Sequence, residues 1–233
     1  RKFQPQCVIF GCLGAAEFVD VRWVGTEEGR AGEDCWATIG LDAMLREGMP
    51  WAEHIDLAGS LALEDYYRTD THWRQEALLD AANKLGNAMN ISIPNFTKKE
   101  IEKPFYGVYY GQAALPMESE DMYILESDLL SACRVYSYED GSTSQVYNMD
   151  MLTANDLYDV YLSGAQSLLR IENPNATTDR ELIIFRDSFG SSMIPLLIRD
   201  YAKVTVVDIR YVMPDVLDRL IDFEGKDVLM MYS

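Results

Sequence analysis

The sequence predicts an α/β fold, a parallel sheet with helices on both faces, carrying an inserted antiparallel β region. Three observations support this. The last fifty residues alternate apolar strands with helices, one clear amphipathic helix stands in the first half, and an aromatic, turn-rich stretch lies between them.

In chain order, residues 1–34 carry the weakest pattern and are left poorly assigned. Cys7–Leu13 and Phe18–Val24 have strand composition, and residues 25–34 are polar and glycine-rich, as a loop is. Ile39–Arg46 fits a short helix, Ile55-Asp56-Leu57 a short strand or turn, and Leu61–Asp65 a helical turn. From about Arg74 to Met89 the residues Ala77, Leu78, Ala81, Ala82, Leu85, Ala88 and Met89 recur at helical spacing.

Residues 94–150 change character. Strand-like pieces such as Phe105–Tyr110 and Arg134–Tyr138 alternate with turn residues, and Glu139-Asp140-Gly141-Ser142 is a strong turn. This is read as the inserted antiparallel region. Then Glu181–Phe185 reads as a buried strand, Ser191–Tyr201 as a helix and Val204–Ile209 as a second strand. Pro214–Ile221 is a helix with proline at a favoured first-turn position, and Asp227–Met231 is a third strand. Strands that are apolar throughout and alternate with helices belong to a parallel sheet buried on both faces. A chain of 233 residues suits one such domain over 1–233, with 94–150 as its β-rich insertion.

Bulk properties narrow the function. Hydrophobic residues make up 48% of the chain, enough for a sizeable core. The formal net charge of −18 repels phosphate backbones, so no nucleic acid is expected as a partner. No apolar run has the length of a membrane span. Arg1-Lys2-Phe3-Gln4-Pro5 does not open a signal peptide, and a chain that begins with Arg rather than Met fits a fragment. Cys7, Cys12, Cys35 and Cys133 have the spacing of neither a zinc site nor a disulfide framework, and His54 and His72 are the two histidines. No metal and no cofactor are expected.

The chemistry concentrates at two places. Phe185-Arg186-Asp187-Ser188-Phe189-Gly190-Ser191 spans the junction between the first late strand and its helix. In open α/β sheets ligands bind at the carboxyl ends of strands, where backbone N–H groups of the following helix suit an oxyanion. On position alone, Ser188 reads first as a helix cap, the commoner role. A nucleophilic serine needs a base. His54 has no evident orienting partner, whereas His72 follows Asp70 by two residues in Asp70-Thr71-His72. In an extended or turn-like stretch these side chains share a side, so Asp70 can orient the imidazole. Asp70 or Thr71 can also cap the helix near Arg74, and both alternatives stand at this point.

Tyr66-Tyr67-Arg68-Thr69-Asp70-Thr71-His72-Trp73 closely resembles the signature of the DHHW protein family and of the related SGNH-hydrolase-like proteins of alginate O-acetylation. Arg186-Asp187-Ser188-Phe189 resembles the family's later Asp-Ser-aromatic block. Tyr161-Leu162-Ser163-Gly164-Ala165-Gln166 resembles a Gly-Gly-Asn-type block, and Val207-Asp208-Ile209-Arg210-Tyr211 the Asp-Leu-Arg-Tyr segment that follows. The blocks occur in family order over roughly residues 55–233.

The resemblance implies an SGNH-hydrolase-like, flavodoxin-like fold with Asp and His ahead of Ser in the chain. It implies Ser188 as nucleophile, His72 as general base and then acid, and Asp70 as the group that orients His72. It places Gly164 and Gln166 in the oxyanion region beside the Ser188 amide, Arg210 and Tyr211 along the pocket, and Trp73 in packing. Three departures bear on this: Thr71 replaces the first histidine of the family name, Ala165-Gln166 replaces Gly-Asn, and Arg186 precedes Asp187 where many GDS-type enzymes have Gly.

The function so implied is an O-acetyltransferase or acetylesterase acting on an envelope or secreted polysaccharide, through an acetyl-serine and outside the cytoplasm. Its partners would be an acetylated polysaccharide or an acetyl-donor protein. The rival is a non-catalytic carbohydrate-binding module of the same fold, stacking sugars on aromatics between Phe105 and Tyr147.

Overall fold

A computed structural model describes residues 7–12, 46–57, 59–113 and 116–232. The expected strand at Phe18–Val24, the loop at 25–34 and nearly all of the expected helix at Ile39–Arg46 lie outside the described residues.

The centre of the fold is a strand with two buried faces. Strand β8 (Arg180–Arg186) sends Leu182 and Ile184 into one apolar cluster and Ile183 and Phe185 into another. Alternate side chains of a strand point to opposite faces, so these clusters lie on the two sides of the sheet. The first contains Ala81, Ala82 and Leu85 of helix α1 (Leu79–Met89) together with Met193 of α4 (Gly190–Met193). The second packs against Val216 and Leu217 of α5 (Pro214–Leu220). Both faces are covered, as the late strands predict.

Among the described residues, eight strands form this sheet, in the order β2 (Glu53–Asp56), β1 (Cys7–Cys12), β10 (Asp227–Tyr232), β8, β9 (Tyr201–Val207), β7 (Leu168–Glu172), β5 (Arg134–Ser137) and β6 (Thr143–Ser144). The strands from β2 to β9 run parallel to one another. The sheet as a whole is mixed, which corrects the expectation of a parallel one, because β7, β5 and β6 continue it antiparallel beyond β9. The chain passes from β7 to β8 through residues 173–179, too short a link for the crossover that parallel strands need, so it reverses. The aromatic-rich stretch divides accordingly. Strands β3 (Thr97–Phe105) and β4 (Glu120–Glu126) pair antiparallel in a small separate sheet, while β5 and β6 extend the main one.

Three other expectations shift. The helix expected at Ser191–Tyr201 is short, because Pro195 lacks the N–H that would continue it; a 3₁₀ turn covers Ile194–Leu197 and Tyr201 already opens β9. Strand β9 ends at Val207, since Asp208 turns inward to two arginines. The strand expected through Phe105–Tyr110 stops at Phe105, and helix α2 (Val108–Ala113) follows. The amides of Gly107, Val108 and Tyr109 all bond to Thr69 or Asp70 and are lost to any sheet.

Candidate active site

Two loops meet at the carboxyl end of the parallel strands. One follows β8 directly and carries Asp187 and Ser188 into α4. Ser188 does not cap that helix: the preceding position is Phe189, with no side-chain cap. The Ser188 hydroxyl instead faces His72 Nε2 at 2.9 Å.

The second loop is residues 66–73, closed by a bridge between Tyr66 and Trp73 and by the Tyr67 amide on the His72 carbonyl. Within it Asp70 forms a tight turn, its Oδ1 accepting from the His72 amide at 2.9 Å. The same oxygen lies 2.5 Å from His72 Nδ1. A carboxylate only accepts, so Nδ1 carries the proton and Nε2 is left to accept from Ser188. The other Asp70 oxygen accepts from the Val108 amide at 2.9 Å. Burial pushes the Asp70 carboxyl up, but the hydrogen bond and charge of His72 and the amides of His72 and Val108 outweigh it and hold it below the ordinary range. Asp70 therefore caps no helix; the turn before α1 starts with Arg74.

The imidazole is clamped. The Tyr158 ring stacks on it at 4.1 Å and 14°, and Phe189 leans against it at 4.8 Å. Trp73 packs behind, buried, and its Nε1 donates to Ser192 Oγ at 2.8 Å, as does or accepts the Tyr158 hydroxyl at 2.7 Å.

The chain folded this way matches the DHHW protein model over residues 59–207. It belongs to the DHHW family. A DHHW family protein from Eubacterium siraeum is 19% identical, with a TM-score of 0.66 over 98% of this chain and 78% of that one. PatB1 from Bacillus cereus, in its structure with a sulfonyl adduct, is 16% identical with a TM-score of 0.68 over 98% and 82%. At such identities the likeness is one of fold. No curated protein sequence matches the chain.

The other residues named by family resemblance fall around the same strand ends. Gly164 has its amide engaged by the Tyr161 carbonyl at 3.1 Å, and its carbonyl accepts from Arg186 Nη2 at 3.0 Å. Gln166 Oε1 accepts from Ser137 Oγ on β5 at 2.9 Å. The Ser188 amide, by contrast, has no partner among the described residues and is free for an oxyanion. Arg210 grips buried Asp208 with two donors, at 2.9 and 2.6 Å, and leans over the exposed Tyr211 ring. Burial raises the Asp208 carboxyl, yet Arg210 and Arg186 bring it below the ordinary range.

Several contributors escaped the sequence reading. Buried Glu120 of β4 accepts from the Arg68 and Thr69 amides, the Thr69 hydroxyl and Arg74, fixing the loop that presents Asp70. Gly107 comes so close that a Cβ there would stand 2.3 Å from Asp70 Cβ. Tyr158 covers His72, and fully buried Arg186 ties the end of β8 to residue 164. Arg186 announces itself as a charge at the end of an otherwise apolar strand. Glu120 lies about fifty residues from its partners and gives no local signal.

Proposed function

We propose that the chain is a serine-dependent acyl-ester enzyme, an O-acetyltransferase or acetylesterase of polysaccharides. One observation carries the reading: a single imidazole bonds Asp70 at 2.5 Å through Nδ1 and Ser188 at 2.9 Å through Nε2. Ser188 Oγ attacks the ester carbonyl as His72 Nε2 takes its proton, and Asp70 steadies the imidazolium. The oxyanion develops toward the Ser188 amide. As the C–O bond breaks, Nε2 returns the proton to the leaving sugar oxygen. The acetyl-serine then passes its acetyl group to water or to another sugar hydroxyl, with His72 again removing the attacking proton. The exposed rings of Tyr106 and Tyr109 stand on the segment that bonds Asp70, and rings of that kind favour a sugar chain. A glycan substrate places the enzyme outside the cytoplasm, as part of the same proposal.

Sulfonyl fluorides trap activated serines, and PatB1 is known with a sulfonyl adduct. The expected result is one sulfonyl group on Ser188 by peptide mass spectrometry, together with turnover of an aryl acetate that Ser188→Ala abolishes. Aryl acetate turnover surviving in Ser188→Ala would overturn the mechanism. Glycan binding with neither labelling nor turnover would leave the non-catalytic module in its place.

A further inference from the structure

Beside the triad stands a carboxyl group that this mechanism does not use. Asp159 follows Tyr158, whose ring covers His72, in the 3₁₀ turn Leu157–Val160. Its Oδ1 lies where a side chain at position 164 would begin: a Cβ on Gly164 would meet it at 2.0 Å. Gly164 also has φ +75°, so space and backbone both require glycine there. Leu162 and Ser163, just before, take left-handed φ of 55° and 61°. Backbone of that kind persists only when its surroundings fix it. Here Leu162 is buried, Asn148 donates to Ser163 Oγ at 2.9 Å, and Arg186 holds the Gly164 carbonyl. The loop is braced in the shape that leaves room for Asp159.

The carboxyls around it are supplied with donors. Asp70, Glu120, Asp187 and Asp208 each accept hydrogen bonds from amides, hydroxyls or arginines. The half-buried Asp159 carboxyl accepts none and pairs with no cation among the described residues. Burial and the charge of Asp156 push it up, and His72 draws it down in part. Arg186 spends its donors on the carbonyls of Gly164 and Asp187 and lies 3.8 Å from Asp208, and Arg210 grips Asp208. A half-exposed carboxyl that no protein donor engages can exchange its water for a hydroxyl or ammonium of a ligand.

The geometry points to Asp159 as a specificity-determining residue: it accepts from a hydroxyl or ammonium of the bound sugar and repels a sugar carboxylate, so the glycan taken here carries no acidic groups. The inference rests on the glycan reading above. The chain's formal charge of −18 acts in the same direction at longer range.

Binding to the full chain carrying Ser188→Ala separates this from catalysis. Calorimetry with a cello-oligosaccharide, a chitosan oligomer and an oligogalacturonate should show the acid chain weakest by about tenfold or more. Adding Asp159→Asn should weaken the first two about tenfold and close the gap to the acid chain, and Asp159→Ala should repeat the result. Equal affinity for all three, binding of none, or a ranking unchanged in both Asp159 variants would overturn the inference. An intact ranking in a protein that turns over no ester would sink the catalytic reading alone. Turnover lost in Ser188→Ala with no ranking would sink the specificity role alone.

Discussion

The two sides of the site are built from different materials. Ser188 stands at the end of a strand whose Leu182, Ile183, Ile184 and Phe185 are buried on both faces of the sheet. Asp70 and His72 stand on a loop without regular structure, held by Glu120, Thr69, Gly107 and Val108. Apolar packing fixes the strand on the first side and is indifferent to pH. Hydrogen bonds to carboxylates fix the second, and those depend on ionisation. The lesson is that the acid–base side can be disarmed while the fold survives.

The widest test removes the reacting groups. Ser188→Ala or His72→Ala should lower kcat/KM for an aryl acetate on the order of 10⁴-fold or more, with a thermal midpoint close to that of the parent. Asp70→Asn should cost on the order of 10³-fold, since the amide no longer fixes the imidazole tautomer. Gly107→Ala deletes none of the three triad side chains. Its new Cβ must displace Thr69–Asp70, so about a 10²-fold loss in kcat is expected, with a stability cost of about 1–3 kcal/mol in chemical denaturation.

Acid should distinguish the two sides directly. Burial raises Asp70 and Glu120, but their hydrogen bonds and the charges of His72 and Arg74 prevail and hold both below the ordinary carboxylate range. Their stabilisation is therefore full above that range and is lost as pH falls through the lowered values. As pH falls below the ordinary carboxylate range, amide protection factors, corrected for intrinsic exchange, should drop in residues 66–73 and 107–109 before they do in 182–185. A uniform drop would erase the distinction. The smallest effect on kcat is expected of Trp73→Phe, which leaves a small cavity and loses the bond to Ser192, about 1–3 kcal/mol in denaturation.

The same difference explains what the sequence reveals. Strands β8, β9 and β10 and helix α5 are legible because burial writes itself into consecutive apolar residues and proline marks a helix start. Ser188 is legible as a position at a strand end. The bond from His72 to Ser188 is not, since 116 residues separate them; the family blocks supply that link. The antiparallel turn at β7 is hidden because Leu168–Glu172 fixes no partner by itself, and only the short link to β8 forces the reversal. Arg186 is visible as an oddity whose purpose becomes clear only when the residue 164 carbonyl lies against it. Glu120 accepts from the amides of distant residues and Gly107 donates its own to Thr69, and amides leave no trace in a sequence.

The strand order has one more consequence. Among the described residues, both borders of the eight-stranded sheet are short segments, four residues at β2 and two at β6. A border that brief offers a neighbouring molecule few unpaired peptide groups to grip. Along these two borders crowded copies of this chain find only short seams, even though the sheet between them is wide and apolar.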